Sequence, residues 1–188
     1  MALAAAWQWG QWGWIEAKAW LAAGLIERAW QARLAGAEEG AARPWPWADT
    51  WPVARLRVPR LGVERLVLHG ASGRTLAFGP GWDSGSADPG RSGSVLVSGH
   101  RDTHFRFLAE LRAGDTIELE HPAGRDLYRV EGAQVFSAAA ARLVDPGDRD
   151  LLWLVTCYPF SALRPGGDLR YLVSAQRVAE AAAVAGRG

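Results

Sequence analysis

The feature that most limits how this chain can fold is a change of hydrophobic period near residue 53. Beyond it, apolar and polar residues alternate in short segments, separated by Gly- and Pro-rich turns such as G-P-G-W-D-S-G and D-P-G-R-S-G. A period of two is typical of β-strands, and many short strands with turn signals between them favour a closed or nearly closed β-barrel. The segments predicted as strands are 53–58, 66–68, 94–98, 116–120, 127–130, 133–136, 151–156 and 169–175, with one helical-looking segment at 103–111. We therefore predict a mainly β fold, a closed barrel of about eight strands.

The first 35 residues have a different pattern and predict an appended N-terminal α-helix. Residues 2–35 contain no proline, are rich in Ala and Leu, and carry apolar residues in steps of three and four. This stripe consists of Trp12, Ile15, Ala19, Ala23, Ile26, Trp30 and Leu34. We expect the helix to pack on the β domain through Trp12, Ile15, Ile26 and Trp30. Charged residues interrupt it, so the helix lacks the apolar run of about 20 residues that a spanning helix needs.

Tryptophan is concentrated at the start of the chain, where nine of the eleven lie within the first 51 residues. Because Trp favours the membrane–water interface, contact with a membrane is a second interpretation of the helix, compatible with docking on the barrel. Two glycines and three prolines make residues 36–52 a linker. The predicted organisation is a Trp-rich helix at 1–35, the linker at 36–52, the barrel at 53–178 and a tail at 179–188.

Charge and cysteine content narrow the possible functions. The chain has 188 residues and a net charge of +1, which does not indicate the strong positive charge typical of nucleic-acid-binding proteins. Cys157 is the only cysteine, so an internal disulfide and a Cys-rich zinc site are both excluded. We expect neither a metal nor another cofactor, although His100, His104 and Cys157 include possible ligands.

Three polar side chains lie at the boundaries of predicted buried strands. S-V-L-V-S leads into Gly99 and His100, L-L-W-L-V-T leads into Cys157, and Arg170 lies at the start of the last strand. Each has an ordinary explanation, because a buried Cys often only packs and a strand-end His or Arg is commonly structural. Together they suit nucleophilic catalysis, in which a thiolate attacks, His transfers a proton and Arg holds negative charge.

These segments resemble the signatures of sortases, cysteine transpeptidases of bacterial surfaces. The resemblance is carried by S-G-H-R-D-T-H-F (98–105), L-V-T-C-Y-P-F (154–160) and L-R-Y-L-V (169–173), and by V-P-R-L-G-V (58–63). It covers about residues 53–173. The Trp-rich start and the P-W-P-W linker are similar to proteobacterial sortases of class GN. Two positions depart from the family pattern, since Ser94 stands where Asn is usual and Trp82 where His is expected.

The resemblance implies a sortase-like barrel and a mechanism. Cys157 would attack the Thr–Gly bond of a C-terminal Leu-Pro-x-Thr-Gly-like signal on a substrate protein, giving a thioacyl intermediate that passes to an unidentified amine. His100 would act as general acid and then base, and Arg170 would hold the oxyanion or substrate backbone. Candidate substrate contacts are Tyr158, His104 and Thr156. Thr156 is also a candidate to orient Arg170.

Two other functions remain open at this level. The same residues suit a cysteine peptidase that hydrolyses the signal, because only the acceptor differs. A non-enzymatic, membrane-associated binding barrel is the third possibility, and it predicts that Cys157 is dispensable.

The resemblance also implies a location at the plasma membrane, with the catalytic domain on the extracytoplasmic, periplasmic side.

Overall fold

The computed structural model describes residues 2–139, 146–162 and 167–179, and for residues 2–17 it describes the backbone alone. The described strands close into a barrel in the order β1-β2-β3-β4-β7-β8-β6-β5. Their bounds are β1 Pro52–Val58, β2 Val63–His69, β3 Gly81–Trp82, β4 Val95–Ser98, β5 Thr116–His121, β6 Gly124–Ser137, β7 Leu151–Cys157 and β8 Leu169–Val178. Neighbours are antiparallel except for β2 with β3 and β4 with β7, which are parallel.

The mainly β, eight-stranded closed barrel with an N-terminal helix confirms the predicted fold class, although individual strands differ. Segments 127–130 and 133–136 form one strand, β6, because a register shift between Val130 and Gly132 bends it without ending it. β3 has two residues, too few to show a period. The segment 103–111 contains a 3-10 helix, Arg106–Glu110, in place of an α-helix.

The alternation along each strand separates two apolar clusters. Inside the barrel, Leu152 and Leu154 of β7 pack with Val173 of β8 and the inward residues of the other strands. On the outer face, Leu151 and Trp153 form a smaller cluster with Leu172 of β8. Because successive side chains of a strand point to opposite faces, the end of β7 turns residue 156 inward and residue 157 outward.

The N-terminal helix α1, Ala2–Leu34, packs on β1 and β2 through its C-terminal half. Ile26 and Trp30 are buried there, as expected, and Arg55 of β1 donates a 2.5 Å hydrogen bond to Glu27. The guanidinium of Arg55 also lies 5.8 Å from the centroid of the Trp30 ring. The side chains of the other two predicted contact residues, Trp12 and Ile15, lie outside the described residues.

The surface beside α1 is apolar and open. Trp20 and Trp47 are 77% and 81% exposed. An open cavity of 580 Å³ lies between α1, the linker and the short helix α2, Gly73–Leu76, and Leu21, Trp45 and Trp47 are among its lining residues. None of the helices in the described part of the chain combines the length and the hydropathy required to cross a bilayer.

Removal of the Trp30 ring should detach the helix from the barrel. Trp30 is fully buried, so we expect Trp30→Ala to lower the free energy of unfolding by about 3–5 kcal/mol, measured by denaturant titration. Trp20→Ala is the matched control on the same helix, and its exposed ring should change the free energy by less than about 0.5 kcal/mol. Equal losses in the two variants would show that α1 is not docked through Trp30.

Candidate active site

The parallel pairing of β4 with β7 brings two of the predicted site residues to the same end of the barrel. Ser98 is paired with Val155, and the Gly99 amide donates to the Val155 carbonyl at 3.0 Å. His100 and Cys157 each follow two residues after this pair, and parallel strands run in the same direction. The structure therefore places His100, which is exposed, and Cys157, which is half-buried, at neighbouring strand ends.

Thr156 connects these two strands from inside the barrel. It is 3% exposed, and its Oγ1 donates a 2.7 Å hydrogen bond to the carbonyl of Gly99, the residue before His100. Gly99 itself leaves room for the Phe105 ring, since an added Cβ would lie 2.8 Å from that ring. The Thr156 side chain therefore faces the interior and holds the turn that carries His100, and its predicted contact with substrate or Arg170 stays a prediction.

Arg170 lies directly across from Cys157 in the antiparallel pair of β7 and β8. Both side chains are on the outer face of the barrel wall, the face occupied by Trp153 and Leu172. Nη1 of Arg170 donates to the carbonyls of Gly167 at 2.7 Å and Leu169 at 3.0 Å. Its Nε and Nη2 have no hydrogen-bond acceptor among the residues that the structure describes.

Aromatic rings border the site on the side of β8. The Tyr158 ring is stacked near Tyr171, with centroids 6.0 Å apart and planes 17° from parallel. The edge of Phe160 meets Tyr171 at 5.1 Å, and Phe160 also packs on the core. Tyr158 is half-buried beside the thiol. It therefore remains a candidate to contact the apolar part of a substrate.

His104 lies on the side of the barrel next to α1. It borders a cavity of 290 Å³ between α1 and β2, and lies against the backbone of Leu76 and Ala77. Burial lowers the pKa of His104, and the positive charges of Arg65 and His100 lower it further. The contact of His104 with substrate stays a prediction.

Sequence reasoning missed Arg101, which follows His100 and is only 7% exposed. It forms a two-pronged ion pair with Asp102, at 2.7 and 2.8 Å. This pair lowers the pKa of Asp102 and raises that of Arg101, and negative charge at Cys157 raises the pKa of Arg101 as well. The adjacent Arg and Asp directly after a predicted strand-end His were the available signal. Arg164, six residues before Arg170 in the sequence, lies outside the described residues.

Cys157, Arg170 and His100 thus lie on or directly after three adjacent strands of a closed β-barrel. The sortase domain model matches residues 56–178, so the chain belongs to the sortase family. Sortase D of Bacillus subtilis (strain 168) is 30% identical over 124 residues, which are 65% of this chain and 62% of that relative. The chain thus spans somewhat less than two thirds of the length of this curated relative.

Solved structures show the same architecture. Sortase C-1 from Actinomyces oris is 32% identical, with a TM-score of 0.57 over 68% of this chain and 75% of that chain. A Clostridium perfringens sortase D5 transpeptidase is 23% identical, with a TM-score of 0.61 over 79% of this chain and 86% of that chain. The second similarity, at this identity, supports the fold alone.

The buried His104 should make stability depend on pH. Its pKa in the folded protein lies below the value of 6.5 that applies to an unperturbed side chain. The unfolded chain therefore binds more protons, so the stabilisation is present above the unfolded pKa and is lost as the pH falls below it. We expect the free energy of unfolding to fall between about pH 7.5 and 5, and to fall less in His104→Gln. Denaturant titrations across this range measure both slopes, and identical slopes would contradict the assignment.

Proposed function

We propose that this protein is a cysteine transpeptidase that cleaves a C-terminal Leu-Pro-x-Thr-Gly-like sorting signal between Thr and Gly. The observation that carries the proposal is the convergence of three strand ends, with Cys157 paired to Arg170 and with His100 at the end of the parallel neighbour. Membership of the sortase family supports the same class of reaction. The signal, the acceptor and the cleavage position are the parts that go beyond family membership.

In the first half of the proposed reaction, the Cys157 thiolate attacks the carbonyl carbon of the substrate threonine. The carbonyl π electrons move to oxygen, giving a tetrahedral oxyanion. When they return, the C–N bond to glycine breaks, and a thioester to Cys157 remains. The leaving nitrogen departs as an amine only if it gains a proton, and His100, at the neighbouring strand end, is the group placed to donate it.

In the second half, an amine attacks the thioester carbonyl. His100, now neutral, accepts the proton that the attacking nitrogen loses, and the collapse of the second oxyanion expels the Cys157 thiolate. Nucleophile and proton carrier are thereby returned to their starting states. Water could take the place of the amine, in which case the product is a free carboxylate and the protein acts as a peptidase.

Arg170 suits the binding of the oxyanion for two reasons. Its Nη1 is held by the carbonyls of Gly167 and Leu169, which restrains the guanidinium of the residue that is paired with Cys157. Its remaining N–H groups form a planar donor set with a charge that persists at every relevant pH. Negative charge that appears on the substrate oxygen during attack can therefore be stabilised without a further proton transfer.

We also propose that the catalytic domain works at the extracytoplasmic, periplasmic face of the plasma membrane and belongs to the class GN subgroup. The proposed location is supported by the exposed rings of Trp20 and Trp47 beside α1, since Trp favours the membrane interface. The subgroup rests on the Trp-rich start and P-W-P-W, which lie outside the matched residues 56–178.

Substitutions of Arg170 separate a catalytic role from a packing role. Arg170→Ala should lower the rate of cleavage of a Leu-Pro-x-Thr-Gly peptide by about 100- to 1000-fold, as expected when one oxyanion donor set is lost. Arg170→Lys should recover little of the rate, because an ammonium group cannot present the same planar donors. Product analysis with and without an added small amine would show whether transfer or hydrolysis follows.

Arg177 provides the matched control on the same strand. It lies near the other end of β8 and forms ion pairs with Asp126 and Asp150. Arg177→Ala should lower the melting temperature but leave the cleavage rate within a few-fold of wild type. Normal turnover in Arg170→Ala with a collapse in Arg164→Ala would show that Arg164 holds the oxyanion instead. Full activity of Cys157→Ala would favour the binding-barrel alternative.

A further inference from the structure

The turn that follows the nucleophile is held by a residue that takes no part in the reaction described above. This turn, residues 158–162, begins directly after Cys157, and its Tyr158 amide donates to the Leu169 carbonyl at 3.0 Å. On its other side, Nη1 of Arg101 donates to the Pro159 carbonyl at 2.5 Å and Nη2 donates to the Ala162 carbonyl at 2.7 Å. A single guanidinium therefore connects the residue after His100 to the residues after Cys157.

The cost of burying this guanidinium is offset by the number of its partners. Arg101 is 7% exposed and donates to two carbonyls and to both carboxylate oxygens of Asp102. A planar donor set of fixed shape satisfies all four acceptors, whereas the ammonium of Lys has three donors on a flexible stem. The arrangement therefore requires Arg. A position that needed only a positive charge could hold Lys instead.

The same guanidinium is electrostatically coupled to the thiol. Negative charge at Cys157 is among the influences that raise the pKa of Arg101, after the larger contribution from Asp102. Arg101 is permanently cationic and is bonded to the carbonyl two residues after Cys157, so its charge lies near the nucleophile and next to the opposite charge of Asp102. Among the described residues, the charged and titratable groups at this end of the barrel include His100, Arg101 and Asp102 after β4, Arg170 and Tyr171 at the start of β8, and Tyr158 in the turn.

We propose that Arg101 is a positioning residue of the active site, which fixes the turn after Cys157 relative to His100 and places a permanent positive charge near the sulfur. This inference rests on the proposed function, because the alignment of thiol and imidazole matters only if Cys157 reacts. Arg101 does not contact the substrate in this proposal. It acts on the nucleophile through the backbone and through its charge.

The charge is tested by alkylation of Cys157 with iodoacetamide, comparing the rate at pH 7 with the rate at pH 10. Arg101→Gln removes the charge, and the ratio of the rate at pH 7 to the rate at pH 10 should fall by about 3- to 10-fold. Arg101→Lys keeps the charge, and its ratio should stay within about twofold of wild type. Asp102→Asn removes the cancelling charge, so its ratio should rise. An unchanged ratio in Arg101→Gln, or a lowered one in Asp102→Asn, would overturn the proposal.

The contacts to the turn are tested by peptide cleavage. Both Arg101→Gln and Arg101→Lys lose the four-acceptor arrangement, so kcat should fall by about 10- to 100-fold while KM changes by less than about threefold. A role in stability alone would lower the melting temperature and leave the alkylation ratio unchanged. A normal kcat in Arg101→Lys would also overturn the proposal. Should Arg101→Gln fail to fold, Arg101→Lys and Asp102→Asn still decide it.

Arg60 is the matched control because it makes the same kind of contacts elsewhere. It forms a two-pronged pair with Asp115, at 2.6 and 2.7 Å, and donates to the Glu110 carbonyl at 2.7 Å. Arg60→Gln should lower the melting temperature and leave both the alkylation ratio and kcat as in wild type. Alkylation needs no peptide, so an incorrect sorting signal would abolish cleavage in every variant and leave the test of the charge intact.

Discussion

The parallel pairing of β4 with β7 is the interaction on which the rest of the site depends. The two strands are more than 50 residues apart in the chain, yet their parallel alignment takes Gly99 to Val155 and so takes His100 and Cys157 to the same end. An antiparallel pairing of the same strands would put these residues at opposite ends of the barrel. The hydrogen bond from Thr156 to the Gly99 carbonyl fixes this alignment from within the core, where water does not compete for it.

Because side chains alternate along a strand, the two faces of the barrel wall have different roles. Leu152, Leu154 and Thr156 of β7 are buried inside and hold the barrel together, while Cys157 emerges on the outer face opposite Arg170. Core packing therefore determines where the thiol lies. The N-terminal helix covers β1 and β2, and so stabilises the barrel away from the strands that carry the proposed site.

The sequence predicted those elements whose signal is local. Alternating apolar residues and turn glycines were enough for the barrel, and absence of proline with a helical stripe was enough for α1. The two-residue strand β3 left no period to detect, and the bend at Val130 and Gly132 resembled a strand end because bulges and turns share residue types. The direction in which individual side chains point was harder to predict than the strands. His104 and Thr156 both adjoin predicted catalytic residues, yet the fold turns one toward α1 and the other into the core. Arg101 could not be assigned, because its two carbonyl acceptors lie about 60 residues away in sequence.

Intact-protein mass spectrometry tests most directly the central claim, that Cys157 carries the acyl group. The protein would be mixed with a Leu-Pro-x-Thr-Gly peptide without added amine, quenched in acid and digested to locate any adduct. We predict that the peptide fragment ending at Thr is attached through a thioester to Cys157, that it disappears when an amine is added, and that Cys157→Ala never forms it. Cleavage of the peptide by Cys157→Ala, or an adduct on any other residue, would contradict this assignment of the nucleophile.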